Sequence, residues 1–324
     1  MRLLSRIIFL FTIFLSISVL NAFAQSGWRP VSAPTTGDLI SVNFTSGDKG
    51  WVAGDGGYLA STKDGGRTWK RYLLNTTEDI SEIYFRNSDN GYLVAGRKMF
   101  ITSDGGENWR ETIIFKAGDF KEGTPEFLSI RFADRRRGHV VGSVLNKNGD
   151  VINSLVMRTE DGGETWQRLI VPSRTELFHL DFSGASHGWI VGDVGVILAT
   201  ADGGQSWTLQ NSGTKSALYN VDFRDDNEGY AVGGKGTILR TENGGDTWTR
   251  VITSFTGTFM RVDFADDKNG WIVGHGGTVL RSSDKGKSWI RQESRTPAHL
   301  YGLFMMKKNG WAVGAKGSII GYQK

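Results

Sequence analysis

The feature that most constrains this sequence is an internal repeat of about 41 residues. A box of the form Thr/Ser-x-Asp-x-Gly-x-x-Trp occurs six times, and successive box Trp residues are 40, 57, 41, 41 and 41 positions apart. The third box position is occupied by Asp64, Asp104, Asp161, Asp202, Asn243 and Asp284. A period of this length indicates stacked supersecondary units.

A second signature precedes each box. It is an alternating strand that ends in Phe, a polar turn closed by Gly and, usually, an aromatic residue, as in Phe223 followed by Gly229-Tyr230. Each unit predicts four short strands, for example 218–223, 229–233, 236–241 and 247–251. Such units bury their faces by stacking radially, so we predict an all-β fold, a β-propeller of four-stranded Asp-box blades.

The two ends of the chain together complete one further unit. A seventh signature, Leu300 to Phe304 followed by Gly310-Trp311, has no box after it. The missing outer strand is present at 27–31, where Trp28 precedes Trp69 by the same 41 residues. We therefore predict seven blades in one domain over residues 25–324, with the last blade closed by the N-terminal strand and no open edge.

Residues 1–24 read as a cleaved signal peptide. Two arginines precede an apolar run from Ile7 to Leu20, and Ala22-Phe23-Ala24 forms a small-x-small pattern. The alternative is an uncleaved anchor, but the run is about 14 residues, short of the length needed to span a bilayer. We expect an exported protein, periplasmic or extracellular.

Composition removes several classes of function. The chain has no Cys, which excludes a disulfide scaffold and thiolate metal sites. Its net charge is only +4, with 38 basic and 34 acidic residues, so nucleic acid is not expected as a partner. The five His show no metal-ligand spacing, and the charged residues vary from blade to blade mainly in loops. We expect no metal, no cofactor and no convergent catalytic set.

The Asp boxes have a catalytic and a structural interpretation. Boxes spaced one per blade cannot converge on one substrate, and Asn243 would cripple a general acid while keeping an acceptor oxygen. We expect the Thr/Ser hydroxyl and the carboxylate to accept backbone N–H groups of a tight turn, with Gly at positive φ and Trp packed over it. All eleven Trp fall at repeat positions and are expected in the core.

Units such as LYNVDFRDDNEGYAVGGKGTILRTENGGDTW and FMRVDFADDKNGWIVGHGGTVLRSSDKGKSW resemble the photosystem II stability/assembly factor family of Asp-box propellers. The resemblance covers essentially the whole mature chain and implies a non-catalytic binding or assembly role. The alternative is a sialidase-like glycosidase or a carbohydrate-binding Asp-box protein. A sialidase would need a Phe/Tyr-Arg-Ile-Pro motif, which this sequence lacks.

Partner-binding residues are expected in loops on one propeller face. The turns between second and third strands and the loops between blades share a face in this topology, and variable loop residues there would carry specificity. The candidates are Arg97, Arg174, Lys215, His275 and Arg295, with Lys116 and Asp193 beside them. The alternative is scattered, solvated charge.

The third unit carries about 16 extra residues. They divide between the inter-blade loop around Lys116 to Pro125 and the segment 142–156, where Lys147 begins a hairpin tip ending at Asp150. Both are expected on that same face, and the alternative is a tolerated insertion. The basic run Arg135, Arg136 and Arg137 is expected on the opposite face, facing an acidic protein or anionic lipid, unless it is only a solvated turn. We expect a monomer whose partner is a protein or protein complex, including one at a membrane.

Overall fold

The computed structural model describes residues 27–116, 118–121 and 123–324, so the signal-peptide prediction lies outside the described residues. These residues form 28 strands in seven four-stranded antiparallel sheets. The prediction of an all-β, seven-bladed propeller is confirmed. Within the described ranges, no helix is long and apolar enough to cross a membrane.

The strands fall into four classes by their distance from the propeller axis. The inner strands are β2 Leu39–Phe44, β6 Ile80–Phe85, β10 Thr124–Phe132, β14 Leu177–Ser183, β18 Leu218–Phe223, β22 Phe259–Phe264 and β26 Leu300–Met305. The second strands are β3 Gly50–Gly54, β7 Gly91–Ala95, β11 Gly138–Leu145, β15 His187–Gly192, β19 Gly229–Gly233, β23 Gly270–Gly274 and β27 Asn309–Gly314. The third strands are β4 Tyr58–Thr62, β8 Lys98–Thr102, β12 Val151–Thr159, β16 Ile197–Thr200, β20 Thr237–Thr241, β24 Thr278–Ser282 and β28 Ile319–Gln323. The outer strands are β1 Gly27–Val31, β5 Lys70–Tyr72, β9 Arg110–Thr112, β13 Gln167–Leu169, β17 Thr208–Gln210, β21 Thr249–Arg250 and β25 Ile290–Gln292.

Blades 1 to 6 are continuous in sequence, and blade 7 joins the two ends of the chain. Its strand order is β1-β28-β27-β26, and Trp28 is the register partner of Tyr322 in the antiparallel pair. Trp28 is 2% exposed, so the closing strand buries a large side chain as well as pairing its backbone. The predicted closure by residues 27–31 is confirmed.

The core lies between blades. The aromatic residue that opens a second strand stacks on the Phe that ends the next blade's inner strand, as Trp189 does on Phe223 with ring centroids 3.3 Å apart. The Gly of the signature leaves room for that Phe, because a Cβ on Gly229 would lie 2.4 Å from the Phe223 ring. The repeat signature is therefore a packing rule, worth about 1 kcal/mol per aromatic pair beyond the area that it buries.

His139 occupies this aromatic position in blade 3. It is fully buried, packs on Phe182, and its Nε2 lies 3.1 Å from the carbonyl oxygen of Gly204. Burial lowers the pKa of His139 to about 4, so the ring is neutral at physiological pH. It is a core residue.

The predicted seventh signature is displaced by one residue. Met305, not Phe304, ends the inner strand and packs against Gly310, where a Cβ would lie 2.3 Å from the Met305 sulfur. Phe304 instead is a half-buried residue that lines the channel at the centre of the ring. The strand predicted to end at Phe304 thus ends at Met305, because the turn that follows is one residue shorter than the turn that follows Phe223.

The Asp boxes are turns, as expected. In blade 4 the Thr200 hydroxyl accepts the Gly204 N–H at 3.0 Å, and Asp202 Oδ1 accepts both the Thr200 hydroxyl at 2.7 Å and the Ser206 N–H at 3.0 Å. Gly203 and Gly204 both have positive φ, which favours glycine at these positions. Asn243 Oδ1 accepts the Thr247 N–H in the same way.

The propeller has two distinct faces. One, the box face, carries the Asp boxes and the loops from inner to second strands, which are joined by bonds such as Gly65 N–H to the Asp48 carbonyl oxygen at 2.9 Å. The other, the interblade face, carries the second-to-third turns and the loops between blades. These are joined by bonds such as Gly56 N–H to Asp79 Oδ1 at 2.7 Å. The predicted sharing of one face by turns and inter-blade loops is confirmed.

Candidate functional site

A polar channel of about 330 Å³ runs along the propeller axis. Its wall is formed by the inner strands, and it opens to the box face between loop residues that include Thr45 and Asn87. Two levels of side chains line the wall. The level nearer the box face contains Asn43, Tyr84, Arg131, Asp181, Asp222, Asp263 and Phe304.

Polar side chains of the channel join several inner strands to the next blade's inner strand. Asp181 Oδ2 accepts the Phe223 N–H at 2.8 Å, and Asp263 Oδ2 accepts the Met305 N–H at 2.7 Å. The channel residue two positions earlier in a strand makes the same kind of bond, since Asn220 Oδ1 accepts the Val262 N–H at 2.9 Å. Each of these bonds satisfies one backbone donor on an inner edge that has no strand partner.

A buried ionic cluster joins blades 2, 3 and 4 across the channel. Glu82 forms an ion pair with Arg131 at 2.8 Å, and Arg131 also lies 3.0 Å from Nε2 of His179. Burial alone would raise the pKa of Glu82, but Arg131 and His179 hold it well below its usual range. Burial and the neighbouring guanidinium lower the pKa of His179 to about 4. Glu82 is therefore a carboxylate and His179 a neutral ring.

Three aspartates from consecutive blades 4, 5 and 6 follow around the same level. Burial raises the pKa of Asp181 to about 6 and that of Asp263 to about 7. Burial and the neighbouring carboxylates raise the pKa of Asp222 well above its usual range. The three carboxyl groups therefore hold their protons more tightly than an exposed aspartate does.

The sequence analysis expected no convergent catalytic set, and it did not anticipate that buried ionisable side chains of several blades meet at the propeller axis. The available signal was the residue just before the terminal Phe of an inner strand, which is Asp in three consecutive units. In an innermost strand, residues that alternate with the core side chains face the shared axis, so an Asp at that position in three blades brings three carboxyl groups together. Among the described residues, no three His, Asp or Glu side chains are arranged to hold a metal ion.

The residues predicted for partner binding on the interblade face are spread around the ring. Arg97 and His275 lie in second-to-third turns, while Arg174, Lys215 and Arg295 lie in three different inter-blade loops. All five are exposed. The His275 ring lies 4.4 Å from that of His299, and burial with that neighbour lowers the pKa of His275. The structure does not gather these residues into one site.

The Arg135-Arg136-Arg137 run lies on the box face, as predicted, but it is not a free basic cluster. Arg137 is half-buried and forms an ion pair with Asp134 at 2.7 Å. The Arg136 Nε donates to the Glu160 carbonyl oxygen at 3.0 Å. Two of the three guanidinium groups therefore hold the turn together, and Arg135 is left as the most available charge.

Blade 3 breaks the symmetry of the ring on the interblade face. Its second and third strands extend beyond those of other blades and pair as Ser143 with Ser154 before a turn at 146–150 that contains Lys147. The hairpin base is anchored, because the Ser154 hydroxyl donates to the Thr175 carbonyl oxygen at 2.5 Å. The predicted hairpin tip is confirmed. The lengthened inter-blade loop ends at Gly123, since β10 begins at Thr124 and includes Pro125.

The loop between blades 2 and 3 packs beside this hairpin on the same face. Phe115 and Phe120 meet edge to face at 5.4 Å, and the Arg168 guanidinium lies 4.8 Å from the Phe120 ring centre. Gly123 approaches the Leu145 carbonyl oxygen at the start of the hairpin turn. The two insertions therefore form one protruding unit, which we call the blade 3 protrusion.

Comparison with curated proteins finds relatives among photosystem II assembly factors. The chain is 28% identical over 194 residues to the chloroplastic photosystem II stability/assembly factor HCF136 of Cyanidioschyzon merolae, covering 56% of this chain and 41% of that protein. It is 25% identical over 193 residues to the photosystem II assembly lipoprotein Ycf48 of a Synechococcus species, covering 49% and 58%. The chain spans about half the length of the curated relatives it matches.

Solved structures share the fold over nearly the whole chain. A structure described as YCF48 bound to D1 peptide superposes with a TM-score of 0.73 at 21% identity, covering 92% of this chain and 97% of that one. Virginiamycin B lyase from Staphylococcus aureus gives 0.75 at 12% identity, covering 93% and 100%. The GH74 xyloglucanase from Xanthomonas campestris gives 0.66 at 13%, covering 91% and 53%.

The family model of the photosynthesis system II assembly factor YCF48 matches the chain in overlapping segments. These segments are 20–84, 69–174, 121–212, 166–256, 207–293 and 251–323. Together they cover every blade and the closing strand. The chain therefore belongs to the Ycf48 family of photosystem II assembly factors.

Proposed function

We propose that this protein is an exported, non-catalytic scaffold that binds a segment of another protein during assembly of a membrane protein complex. The observation that carries the proposal is the blade 3 protrusion, an asymmetric feature on an otherwise repetitive ring. Family membership supports it, as does a fold neighbour whose description includes a bound D1 peptide. Export rests on the N-terminal sequence, and one relative is named a lipoprotein.

The state of the channel supports a non-catalytic role. Glu82 accepts the Ile130 N–H, and Asp181 and Asp263 accept backbone N–H groups of the next blade, so these carboxylates hold the ring closed. A general acid or base must be free to exchange its proton with a substrate. The likeness to the xyloglucanase and the lyase is a likeness of fold, and function is decided by the site.

The binding role is tested by crosslinking in the producing cell, followed by purification of the tagged protein and identification of what it carries. In one variant, residues 143–154 are replaced by Gly-Lys-Gly, the turn at 234–236 of blade 5. In the control, Arg135, Arg136 and Arg137 are changed to Ala on the other face. We expect one membrane-protein partner to be lost with the shortened hairpin and kept in the control. Equal capture by both proteins would contradict the proposed surface.

The glycosidase alternative is tested with the same purified protein. Release of a fluorophore from sialoside and other glycoside substrates is measured for the wild type and for Arg97→Ala, Arg174→Ala and Arg295→Ala. We expect no turnover. Turnover that any one of these substitutions abolishes would overturn the scaffold proposal.

A further inference from the structure

A groove of about 490 Å³ lies on the outer circumference between blades 2 and 3. One wall is the inter-blade loop with Ile113 and Phe115, and the other is the outer strand β13 with Trp166 before it. Ile113 is 82% exposed and Phe115 and Trp166 are half-buried, so much of the lining is apolar and reachable from solvent. Isolated exposed apolar residues are ordinary, but a groove lined by three of them calls for a partner.

The second wall carries an unpaired strand edge. β13 is the outermost strand of its sheet and pairs only with β12 among the described residues. In blade 5 the Val251 N–H donates inward to the Ile238 carbonyl oxygen, and Leu169 is the equivalent residue of blade 3. Because backbone groups alternate along a strand, the N–H and C=O of Arg168, a residue that lines the groove, point away from the sheet at its free edge.

The charges around the groove favour an acidic partner. At the box-face end, Arg110 and Glu164 form an ion pair at 3.1 Å and neutralise each other. At the other end, the Asp119 carboxylate accepts the Lys116 backbone N–H at 2.6 Å. The exposed side chains of Lys116, Lys121 and Arg168 form no ion pair with any described residue. Among the described charged residues of this loop and β13, the three basic side chains outnumber the one carboxylate, Asp119.

We propose that this groove binds an extended segment of a partner protein, which adds as a fifth strand to the free edge of blade 3. An apolar side chain of the segment sits between Ile113, Phe115 and Trp166, and an acidic side chain faces Lys116 and Arg168. Main-chain hydrogen bonds supply affinity and the apolar pocket supplies specificity, as in other cases of strand addition. The inference rests on the proposed binding function and names the segment that it would hold.

The test uses a phage-displayed library of random dodecapeptides, selected on the purified protein. Selected peptides are synthesised with a fluorophore, and their Kd is measured by fluorescence anisotropy. We expect alternating apolar and acidic sequences that bind at least tenfold more weakly to Ile113→Ser and to Arg168→Pro. Proline at 168 removes the outward N–H while leaving the pairing with β12 intact.

Blade 5 provides matched controls. Ile252 stands at the position of Ile113 in the repeat and is 83% exposed, and Arg250 stands at that of Arg168. Ile252→Ser and Arg250→Pro should leave the Kd unchanged, and thermal unfolding of all four variants checks that they fold. Peptides N-methylated at alternate backbone positions should lose binding for one set of positions only.

Three outcomes would overturn the inference. Peptides that bind equally to wild type and groove variants would place binding elsewhere and leave the proposed scaffold function standing. A selection that yields no peptide dependent on Ile113 would remove the groove as a peptide site. A dimer in light scattering that Ile113→Ser dissociates would assign the groove to a second copy of this chain.

Discussion

Two blade junctions use the same glutamine position in different ways. Between blades 4 and 5, Gln210 accepts the Trp248 Nε1–H at 3.1 Å, while the Trp189 Nε1–H donates to the Gly244 carbonyl oxygen of the blade 5 box at 2.9 Å. Between blades 6 and 7, Gln292 accepts both the Trp28 and the Trp271 Nε1–H groups, each at 3.1 Å. Blade 7 has no box, so Trp271 has no box carbonyl to reach.

The difference shows what an Asp box contributes. Its turn presents a carbonyl oxygen to the aromatic residue of the preceding blade, as Gly65 does for Trp311 and Lys285 does for Tyr230. The box is thus a latch between blades as well as a local turn. At the junction of blades 6 and 7, the Gln292 amide oxygen alone accepts both indole N–H groups.

The largest expected effect comes from removing the closing strand. Deleting the chain through Val31 unpairs β28 and removes Trp28 from its contacts with Tyr322 and Gln292. We expect cooperative unfolding in urea to be lost, or the free energy of unfolding to fall by more than about 4 kcal/mol. Trp248→Ala, at the same repeat position but half-buried, is the control and should cost less. A deletion that unfolds like the wild type would refute the closure.

Substitutions of Gln292 and Gln210 test the difference between the two blade junctions directly. Gln292→Met leaves two indole N–H groups without an acceptor, and we expect a loss of about 3 kcal/mol in the free energy of unfolding. Gln210→Met leaves only the Trp248 N–H unsatisfied, because the Gly244 carbonyl keeps its bond from Trp189, and should cost about 1.5 kcal/mol. Denaturant titration of both variants measures the difference. Equal losses would show that the two junctions are equivalent.

The aspartates of the channel should make the stability of the protein depend on pH. The folded-state pKa values of Asp181 and Asp263 are raised to about 6 and about 7, so the folded protein binds protons that the unfolded chain releases. Stability from these groups is therefore greatest below the unfolded-state pKa of 3.8, falls as pH rises from there to the folded-state pKa values, and is level above them. At pH 8, Asp263→Asn should stabilise by about 1 to 2 kcal/mol and flatten the profile. Asp181→Asn should raise the free energy of unfolding by less, because the substitution also removes the attraction between the Asp181 carboxylate and Arg131.

A box carboxylate serves as control for that experiment. Hydrogen bonds from its turn lower the pKa of Asp284, despite the opposing effect of its slight burial, so its contribution to stability is lost only in acid. Asp284→Asn should leave the slope of stability between pH 5 and 8 unchanged. A flat wild-type profile in that range would contradict the raised pKa values of the channel.

The smallest effect is expected at the boxes themselves. Asp202→Asn keeps an amide oxygen for the Thr200 hydroxyl and the Ser206 N–H, so the free energy of unfolding should change by less than about 1 kcal/mol. The reciprocal Asn243→Asp, in the next blade, should change it as little. Thermal unfolding of the two variants is the measurement. A larger loss in either would mean that charge, and not the acceptor oxygen, holds the latch.

The fold was predictable because its signature residues act within one blade or between neighbours. Gly229 must be small beside Phe223, and that requirement recurs at a fixed interval that sequence displays. The seventh signature was placed one residue early, at Phe304 and not at Met305, because its turn is one residue shorter than the others. An interval cannot reveal which of two adjacent apolar residues fills the core.

The channel and the groove were not predictable in the same way. Glu82, Arg131 and His179 come from three blades, and their contact depends on how the ring closes. The partner residues proposed from loops remain predictions, because exposure alone does not bring them together. Arg137 is an example. A run of three arginines suggests free positive charge, but Arg137 forms an ion pair with Asp134 within its own turn.

The closing strand also sets the order in which the molecule can be completed. Trp28 is synthesised near the beginning of the chain, and its acceptor Gln292 lies 264 residues later. Joining ends so far apart costs about 5 kcal/mol of chain entropy, which the contacts of blade 7 must offset in a single late step. β28 lies between β1 and β27, so both of those strands have an unpaired edge until it is in place. Those edges are the sites at which mispairing is expected before the ring closes.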